Sequence, residues 1–203
     1  MSIRKNSGGN EIIMCTGGKI KLIILLIILL FSADIISGTQ VYGWRTLGNG
    51  TNGNVYAVTQ FNGKIIAAGK FTNAGGIPVN NIAQWDPNTT AWSALGSGLN
   101  DTVYSLYVYN LQLYAAGHFT QSGASSVNRI ARWNGTSWQA LGSGLNGDGT
   151  AMFQFGSDLV AAGEFSNAGG VSANNVAKWN GTSWSALGSG ISGFNERVYA
   201  LTI

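Results

Sequence analysis

The sequence comprises 203 residues, of which 45% are apolar and 9% are charged, whereas soluble domains average about 25% charged residues. This length supplies one good hydrophobic core or two small ones, and Asn, Ser, Thr and Gly must solvate the surface. The formal net charge of +3 comes mainly from the N-terminal region, because seven basic and six acidic residues follow from Trp44 onward. Without a cluster of Lys and Arg, the sequence excludes nucleic-acid binding through phosphate contacts.

Residues 1–43 are predicted to be a leader for export. The apolar run KIKLIILLIILLFSADII has an uninterrupted part, Leu22–Phe31, of ten residues, fewer than the roughly 20 of a membrane-spanning helix. Basic residues precede it and small residues follow, so we expect a secretory signal peptide cleaved between about Gly38 and Gly43. Met14 is an alternative start, and an uncleaved anchor is the alternative interpretation. Export predicts a secreted or cell-surface protein whose mature domain does not insert into a membrane.

The single cysteine of the sequence, Cys15, lies within this leader. The mature chain therefore has no thiol, although export delivers it to a compartment where disulfides form. Its stability must come from packing and from sheet hydrogen bonds.

Tryptophans recur through residues 44–203 at a nearly constant interval. One set is spaced 48, 46 and 46 residues apart, and a second set 48 and 46 apart. The first set comprises Trp44, Trp92, Trp138 and Trp184, and the second comprises Trp85, Trp133 and Trp179. The tripeptide AAG also recurs, at 67–69, 115–117 and 161–163. A period of about 40 to 50 residues is typical of propeller blades or of helical pairs.

Local patterns within each repeat favour the propeller. Short β-rich runs such as VYAVTQF, KIIAAGKF, NNIAQW and AWSALG alternate with Gly and Asn clusters, and no stretch has helical periodicity. Because four strands joined by turns form one blade, we predict an all-β partial propeller with blades at about 55–102, 103–148 and 149–193. Trp44 to Leu47 corresponds to an isolated outer strand at the start. VYALTI corresponds to an isolated inner strand at the end.

The predicted blades are fewer than the roughly four to eight of known propeller rings. We therefore expect the sequence to be the front part of a longer protein, with a propeller that is incomplete at the C-terminus. If the protein does end at Ile203, oligomerisation is the expected way to cover the open blade edges.

The phrase WNGTSW predicts a tight hairpin between the third and fourth strands of two blades. Asn134-Gly135 and Asn180-Gly181 supply the pair that a type I′ turn favours, because both of its central residues need positive φ. In the first blade DPNTTA takes this place, and its two extra residues account for the spacing of 48 instead of 46.

The two tryptophans beside each of these hairpins have two interpretations. As packing residues, they cover the space between adjacent blades, which suits a blade whose crowded middle is built from the small alanines of AAG. As an exposed ring of aromatics, they would stack on sugars, and Trp179 would be needed for glycan binding.

The phrases LYAAGHFTQSG and NRIARWNGTSWQALGSGLN, with their copies across residues 44–203, resemble the repeats of kelch-like propellers in secreted and cell-surface proteins, including the Rax2-type polarity markers of fungi. The Gly-Gly of kelch repeats is matched at Gly75-Gly76 and Gly169-Gly170, whereas the second copy has SGAS. The resemblance implies a propeller ectodomain for binding or adhesion, and it identifies no functional residue.

The sequence contains few residues of the types that catalysis or metal binding needs. We therefore predict a non-enzymatic protein without a cofactor or metal. His118 is the single histidine and cannot assemble a transition-metal site alone. The equivalent positions are Lys70 and Glu164, so His118 is interpreted as a solvent-facing strand end. The alternative is a ligand contact, because the three positions point to the same end of the propeller channel.

Two further motifs are also weak as catalytic or metal sites. LNGDGT at 145–150 offers one carboxylate, too few oxygen ligands for calcium, and is interpreted as an Asx turn. AKWNGTSW has the geometry of a sialidase Asp-box hairpin but places Trp179 where the acid belongs. Paired carboxylates for glycoside hydrolysis are therefore not predicted.

Partner contacts are predicted on the variable loops between the second and third strands, TNAGGIPVN (72–80), TQSGASSVN (120–128) and SNAGGVSAN (166–174). The function predicted is an extracellular or cell-surface scaffold for protein binding or adhesion, and the alternative is a carbohydrate-binding or glycosidase-related module. The expected partner is a protein or glycan at the cell surface. Five sequons would be glycan acceptors in a eukaryotic secretory route: Asn49, Asn88, Asn100, Asn134 and Asn180.

Overall fold

The computed structural model describes residues 2–5, 11–14, 46–191 and 198–200. Near the N-terminus, strand β1 (Ser2–Lys5) pairs antiparallel with strand β2 (Glu11–Met14). The predicted apolar run of the leader, its cleavage zone and Trp44 lie outside the described residues, so export stays a prediction. No helix in the described part of the chain has the length and apolar character needed to cross a membrane.

Short strands joined by Gly- and Asn-rich turns build residues 54–186. In chain order they are β3 (Asn54–Phe61), β4 (Lys64–Lys70), β5 (Asn73–Ala74), β6 (Ile77–Pro78), β7 (Ile82–Asp86), β8 (Ala91–Ala94), β9 (Val103–Tyr109), β10 (Gln112–Gly117), β11 (Gln121–Ser122), β12 (Ser125–Ser126), β13 (Ile130–Trp133), β14 (Trp138–Ala140), β15 (Asp148–Phe155), β16 (Asp158–Glu164), β17 (Asn167–Ala168), β18 (Val171–Ser172), β19 (Val176–Trp179) and β20 (Trp184–Ala186).

These strands form three successive four-stranded antiparallel sheets, which are the blades of a propeller. The first blade has the strand order β3-β4-β7-β8, the second β9-β10-β13-β14 and the third β15-β16-β19-β20. The first strands β3, β9 and β15 contact one another in turn, so they lie innermost and the other strands run outward. The predicted all-β partial propeller is confirmed.

The isolated inner strand predicted at the end of the sequence lies partly outside the described residues. Residues 198–200 are described without a strand, although the amide of Val198 donates to the carbonyl of Gly163. The Thr150 hydroxyl also donates to the carbonyl of Val198. Val198 also packs against Val160, Ala162 and Val176, so this segment lies on the outer face of the third blade.

Each blade packs against its neighbour through the alternating faces of its second strand. In β10, Leu113 and Ala115 belong to the core shared with the first blade, whereas Tyr114 and Ala116 belong to the core shared with the third. Successive side chains of a strand point to opposite faces, so one strand serves both interfaces. All four residues are buried, and burying a leucine contributes about 1.5–3 kcal/mol.

The glycine of AAG allows the first two strands of each blade to approach closely at a β-bulge. In the third blade a Cβ on Gly163 would lie 1.9 Å from the carbonyl oxygen of Asp148, and on Gly117 in the second blade 2.2 Å from that of Thr102. The register shifts at the same place in both blades. No residue with a side chain fits there without moving backbone.

The tryptophans of the repeat pack between repeats. Six are described, and each is at most 7% exposed: Trp85, Trp92, Trp133, Trp138, Trp179 and Trp184. The second indole of each hairpin donates its Nε1–H to a leucine carbonyl of the preceding repeat, Trp92 to Leu47 at 2.8 Å, Trp138 to Leu95 at 3.3 Å and Trp184 to Leu141 at 2.8 Å. A buried indole needs such a partner. The prediction that the tryptophans pack between blades is confirmed. The alternative prediction, an exposed ring of tryptophans that stack on sugars, is wrong.

The predicted type I′ turns at Asn134-Gly135 and Asn180-Gly181 are wrong. Gly135 has a φ of 100°, but Asn134 is not in the left-handed region. The cross-strand pairing ends at Trp133 and Trp138, which leaves a four-residue loop. The Asn134 side-chain oxygen accepts the amides of the two residues that follow Gly135, at 2.9 and 2.8 Å. This local bonding replaces the ladder bonds that a two-residue turn would need.

Candidate ligand-binding face

The loops between second and third strands lie at the same end of the propeller as the segments that lead into each blade. Backbone bridges join them, at Thr51 with Ala74 and at Leu145 with Ala168. We call this end the loop face and the lead-in segments crossings. The loop face comprises the loops 71–81, 118–129 and 165–175 and the crossings 47–53, 95–102 and 141–147.

One asparagine in each crossing holds the neighbouring loop by three hydrogen bonds. Asn100 accepts the amides of Thr120 and Gln121 at 2.8 and 3.0 Å, and its amide group donates to the Thr120 hydroxyl at 3.2 Å. Asn52 and Asn146 make the same three bonds in the first and third blades. We call these three residues the crossing asparagines.

The end of each loop also binds the next crossing along the face. Asn80, Asn128 and Asn174 donate their side-chain amides to the carbonyls of Ser97, Ser143 and Ser189, at 2.8 to 3.0 Å. Loops and crossings therefore alternate as one continuous hydrogen-bonded belt. Neither the loops nor the crossings move independently without breaking several of these bonds.

The loop residue directly after Asn80, Asn128 or Asn174 differs among the blades. Asn81 donates to the carbonyl of Leu99 at 2.8 Å and accepts the amide of Phe71, and Asn175 makes the equivalent bonds. We call Asn81 and Asn175 the loop-end asparagines. In the second blade this position is Arg129, whose guanidinium donates instead to the carboxylate of Asp148 at 2.5 Å. The junction of the second and third blades therefore has an ion pair where the junction of the first and second blades has an asparagine hydrogen bond.

His118 completes a polar cluster with Arg129 and Asp148. Its Nδ1 lies 2.7 Å from the same carboxylate oxygen that Arg129 contacts. The side chain of His118 is 49% exposed, that of Arg129 22% and that of Asp148 12%. The carboxylate is therefore the enclosed member, and the histidine lies at the mouth of the cluster. Lys70 and Glu164 are exposed at the equivalent ends of their second strands.

Asp101 places a second carboxylate on the loop face, in the crossing to the second blade. Its pKa is lowered mainly because the backbone amide of Thr102 donates to it at 2.6 Å. Partial burial acts in the opposite direction, and the Thr102 hydroxyl and the charges of His118 and Lys70 lower the pKa further. Asp101 therefore stays ionised to lower pH than an ordinary aspartate.

A cavity of about 360 Å³ opens on the loop face between the second and third blades. We call it the junction pocket. It lies directly beside the site where Arg129 replaces a loop-end asparagine. Its polar lining residues are Thr120, Asn128, Arg129, Ser143, Asn146 and Asn167.

Comparison with known proteins agrees with this architecture. The family model described as Rax2 C-terminal beta propeller domain matches residues 40–202, which is most of the chain. The chain belongs to this family. No curated protein matches the sequence closely enough to be compared. The predicted Rax2-type resemblance is thereby confirmed.

The propeller of this Rax2-family chain places some predicted site residues differently from expectation. The Asx turn predicted at 145–150 is wrong, because Asp148 begins strand β15 and binds Arg129 and His118. His118 has a carboxylate partner as well as solvent contact, which neither sequence interpretation included. No group of three or more His, Cys, Asp or Glu suited to a metal occurs in the part of the chain that the structure describes.

Sequence reasoning missed Arg129. The signal that identifies it is its departure from the repeat, since the equivalent positions are both asparagine. Its pairing with Asp148 depends on how two blades meet, which the spacing within one repeat does not encode.

Proposed function

We propose that this Rax2-family propeller is an exported, non-enzymatic scaffold at or outside the cell surface and that it binds a protein partner through its loop face. The observation that carries the proposal is the belt of hydrogen bonds made by the crossing asparagines. It fixes the loops on a rigid framework, so little conformational entropy is lost on binding. Binding residues commonly lie on loops positioned in this way.

The tips of two loops offer apolar anchors for a protein partner. Ile77 and Val171 are 41% and 38% exposed at equivalent positions of the small hairpins, and the second blade has Ser125 there. A partly apolar surface framed by polar groups is the usual composition of a protein interface. This distribution favours a protein partner over a nucleic acid, which would need clustered positive charge.

We further propose that these blades are part of a larger ring. The described residues form three blades, fewer than the about four to eight of known propeller rings. The remaining blades would be contributed by a longer form of this chain or by further copies.

The proposal assigns no catalytic role to the loop-face carboxylates. Asp101 is engaged by the amide and hydroxyl of Thr102, and Asp148 by Arg129 and His118. Because each carboxylate is held by neighbouring groups, we favour the scaffold over the glycosidase alternative.

The experiment measures binding of the labelled full chain to intact cells of the source organism. Ile77→Ser and Val171→Ser together should lower binding about tenfold or more, because each truncates an apolar anchor. The matched control is Leu111→Ser, which changes a 91% exposed leucine at the opposite end of the second blade. Mild proteolysis of the cells should remove binding. Equal loss in the control variant, or binding that survives proteolysis, would overturn the proposal.

A further inference from the structure

The junction pocket arises where the repeat changes a hydrogen-bonding residue. In the first blade, Asn81 donates its side-chain amide across to the carbonyl of Leu99 in the next crossing. Arg129 has no side-chain acceptor and directs a donor to Asp148 instead. The crossing beside it keeps the backbone bond from the Leu145 amide to the Asn128 carbonyl, at 3.0 Å, and the side-chain bond from Asn128 to Ser143, but it lacks a side-chain bond to the carbonyl of Leu145. The cavity occupies this gap.

Several polar groups of the pocket lining have no protein partner among the described residues. The Ser143 hydroxyl, the Asn128 side-chain oxygen and the Asn167 side-chain amide nitrogen make no hydrogen bond within that part of the chain. Arg129 uses one of its five N–H donors, on Asp148. The lining thus offers both donors and acceptors, supplied by three different segments.

Charge and apolar content narrow the class of ligand. Arg129 forms an ion pair with Asp148, and it is the one charged side chain among the described lining residues, so the lining does not concentrate positive charge for a carboxylate or phosphate. Leu145 is its single apolar lining side chain, so it lacks the anchor that an apolar protein side chain would seek. A volume of about 360 Å³ lies at the small end of ligand sites, which span about 300 to 1,000 Å³.

We propose that the junction pocket binds one uncharged saccharide residue. Its hydroxyls would donate to the oxygens of Asn128 and Ser143 and accept from the Arg129 guanidinium and the Asn167 amide. Asp148 acts as a positioning residue, because its carboxylate holds the guanidinium at the pocket wall. This inference goes beyond protein binding at the loop tips, and it stands or fails independently of that function.

The test titrates the full chain with the methyl α-glycosides of glucose, galactose and mannose, followed by amide chemical shifts in NMR. At least one glycoside should bind, with the largest shifts at residues 120, 128, 143 and 167. Arg129→Asn, which installs the residue of the other two blades, should weaken that affinity about tenfold or more, because charged hydrogen bonds are lost. The matched control is Arg132→Gln, which removes the same charge from strand β13 outside the pocket.

Absence of binding by all three glycosides at tens of millimolar, or shifts located elsewhere, would overturn the proposal. Equal affinity in Arg129→Asn and in the wild type would also overturn it. Methyl α-glucuronide, whose carboxylate is free and ionised, binding more tightly than the neutral glycosides would show an anion site instead. The shift pattern of the wild type decides the matter even if Arg129→Asn fails to fold.

Discussion

The first and second blades share one scaffold but end their loops differently. Asn81 uses its amide to tie its loop to the next crossing, whereas Arg129 forms an ion pair with Asp148 and leaves a cavity. The strands and buried tryptophans are nevertheless the same in both blades. The two blades therefore share their buried interior and differ at the loop end, where Arg129 stands in the place of an asparagine.

The largest expected effect comes from the interior that both blades share. Trp138→Ala should lower the free energy of unfolding by about 3–5 kcal/mol, because it removes a large buried side chain and leaves a cavity. Trp138 is 2% exposed, and its indole also binds the Leu95 carbonyl. Leu111→Ala, at a 91% exposed position, should stay within about 0.5 kcal/mol. Urea unfolding checks both, and equal effects would refute face-to-face packing of the blades.

Alanine variants of two neighbouring glycines distinguish the cost of crowding a tryptophan from the cost of backbone strain. A Cβ on Gly169 would lie 2.4 Å from Cδ1 of Trp184, and its φ is +60°. Gly169→Ala should therefore cost about 2–4 kcal/mol, combining left-handed strain with overpacking.

The neighbouring residue Gly170 provides the matched control. Its φ is +90°, but a Cβ there would meet nothing within 4 Å. Gly170→Ala should cost about 1–2 kcal/mol from strain alone. If the two alanine variants unfold at the same urea concentration, the indole does not lie where the structure places it.

Alanine substitutions at Asn81 and Arg129 compare how much each kind of loop end contributes to the free energy of unfolding. Asn81→Ala removes two hydrogen bonds and should cost about 1–3 kcal/mol. Arg129→Ala removes a partly exposed ion pair and should cost less than about 1 kcal/mol. Both positions have a left-handed backbone, with φ of 60° and 68°, so alanine meets similar strain in each. A larger loss for Arg129→Ala would show that the ion pair is structural.

The smallest expected effect concerns the interface of the second and third blades at high pH. Burial raises the pKa of the Tyr114 hydroxyl above its ordinary value of 10.0, although Arg132 acts in the opposite direction. The unfolded chain therefore loses this proton first as pH rises above about 10, and stability falls there. Tyr114→Phe should show a smaller decrease in Tm between about pH 8 and 10.5. Identical decreases in both proteins would contradict this.

Much of the blade could be predicted from sequence because its signals are local. The alternation around AAG and the spacing of Trp85 and Trp92 fix strands, register and buried faces within one repeat. The turn at Asn134 could not be deduced from the Asn-Gly pair, because the asparagine side chain captures the following amides. The pocket depends on Arg129 meeting Asp148 from the next blade, and such contacts between repeats are set only by tertiary packing.

Successive blades stack face to face and are joined by indoles that bond to the preceding repeat. Hydrogen exchange of the indole Nε1–H groups, followed by NMR, measures whether these indoles are buried and hydrogen-bonded. We predict that the indoles of Trp92, Trp138 and Trp184 exchange as slowly as the amides of the buried second strands. Exchange of these three indoles at the rate of a solvent-exposed tryptophan would contradict it.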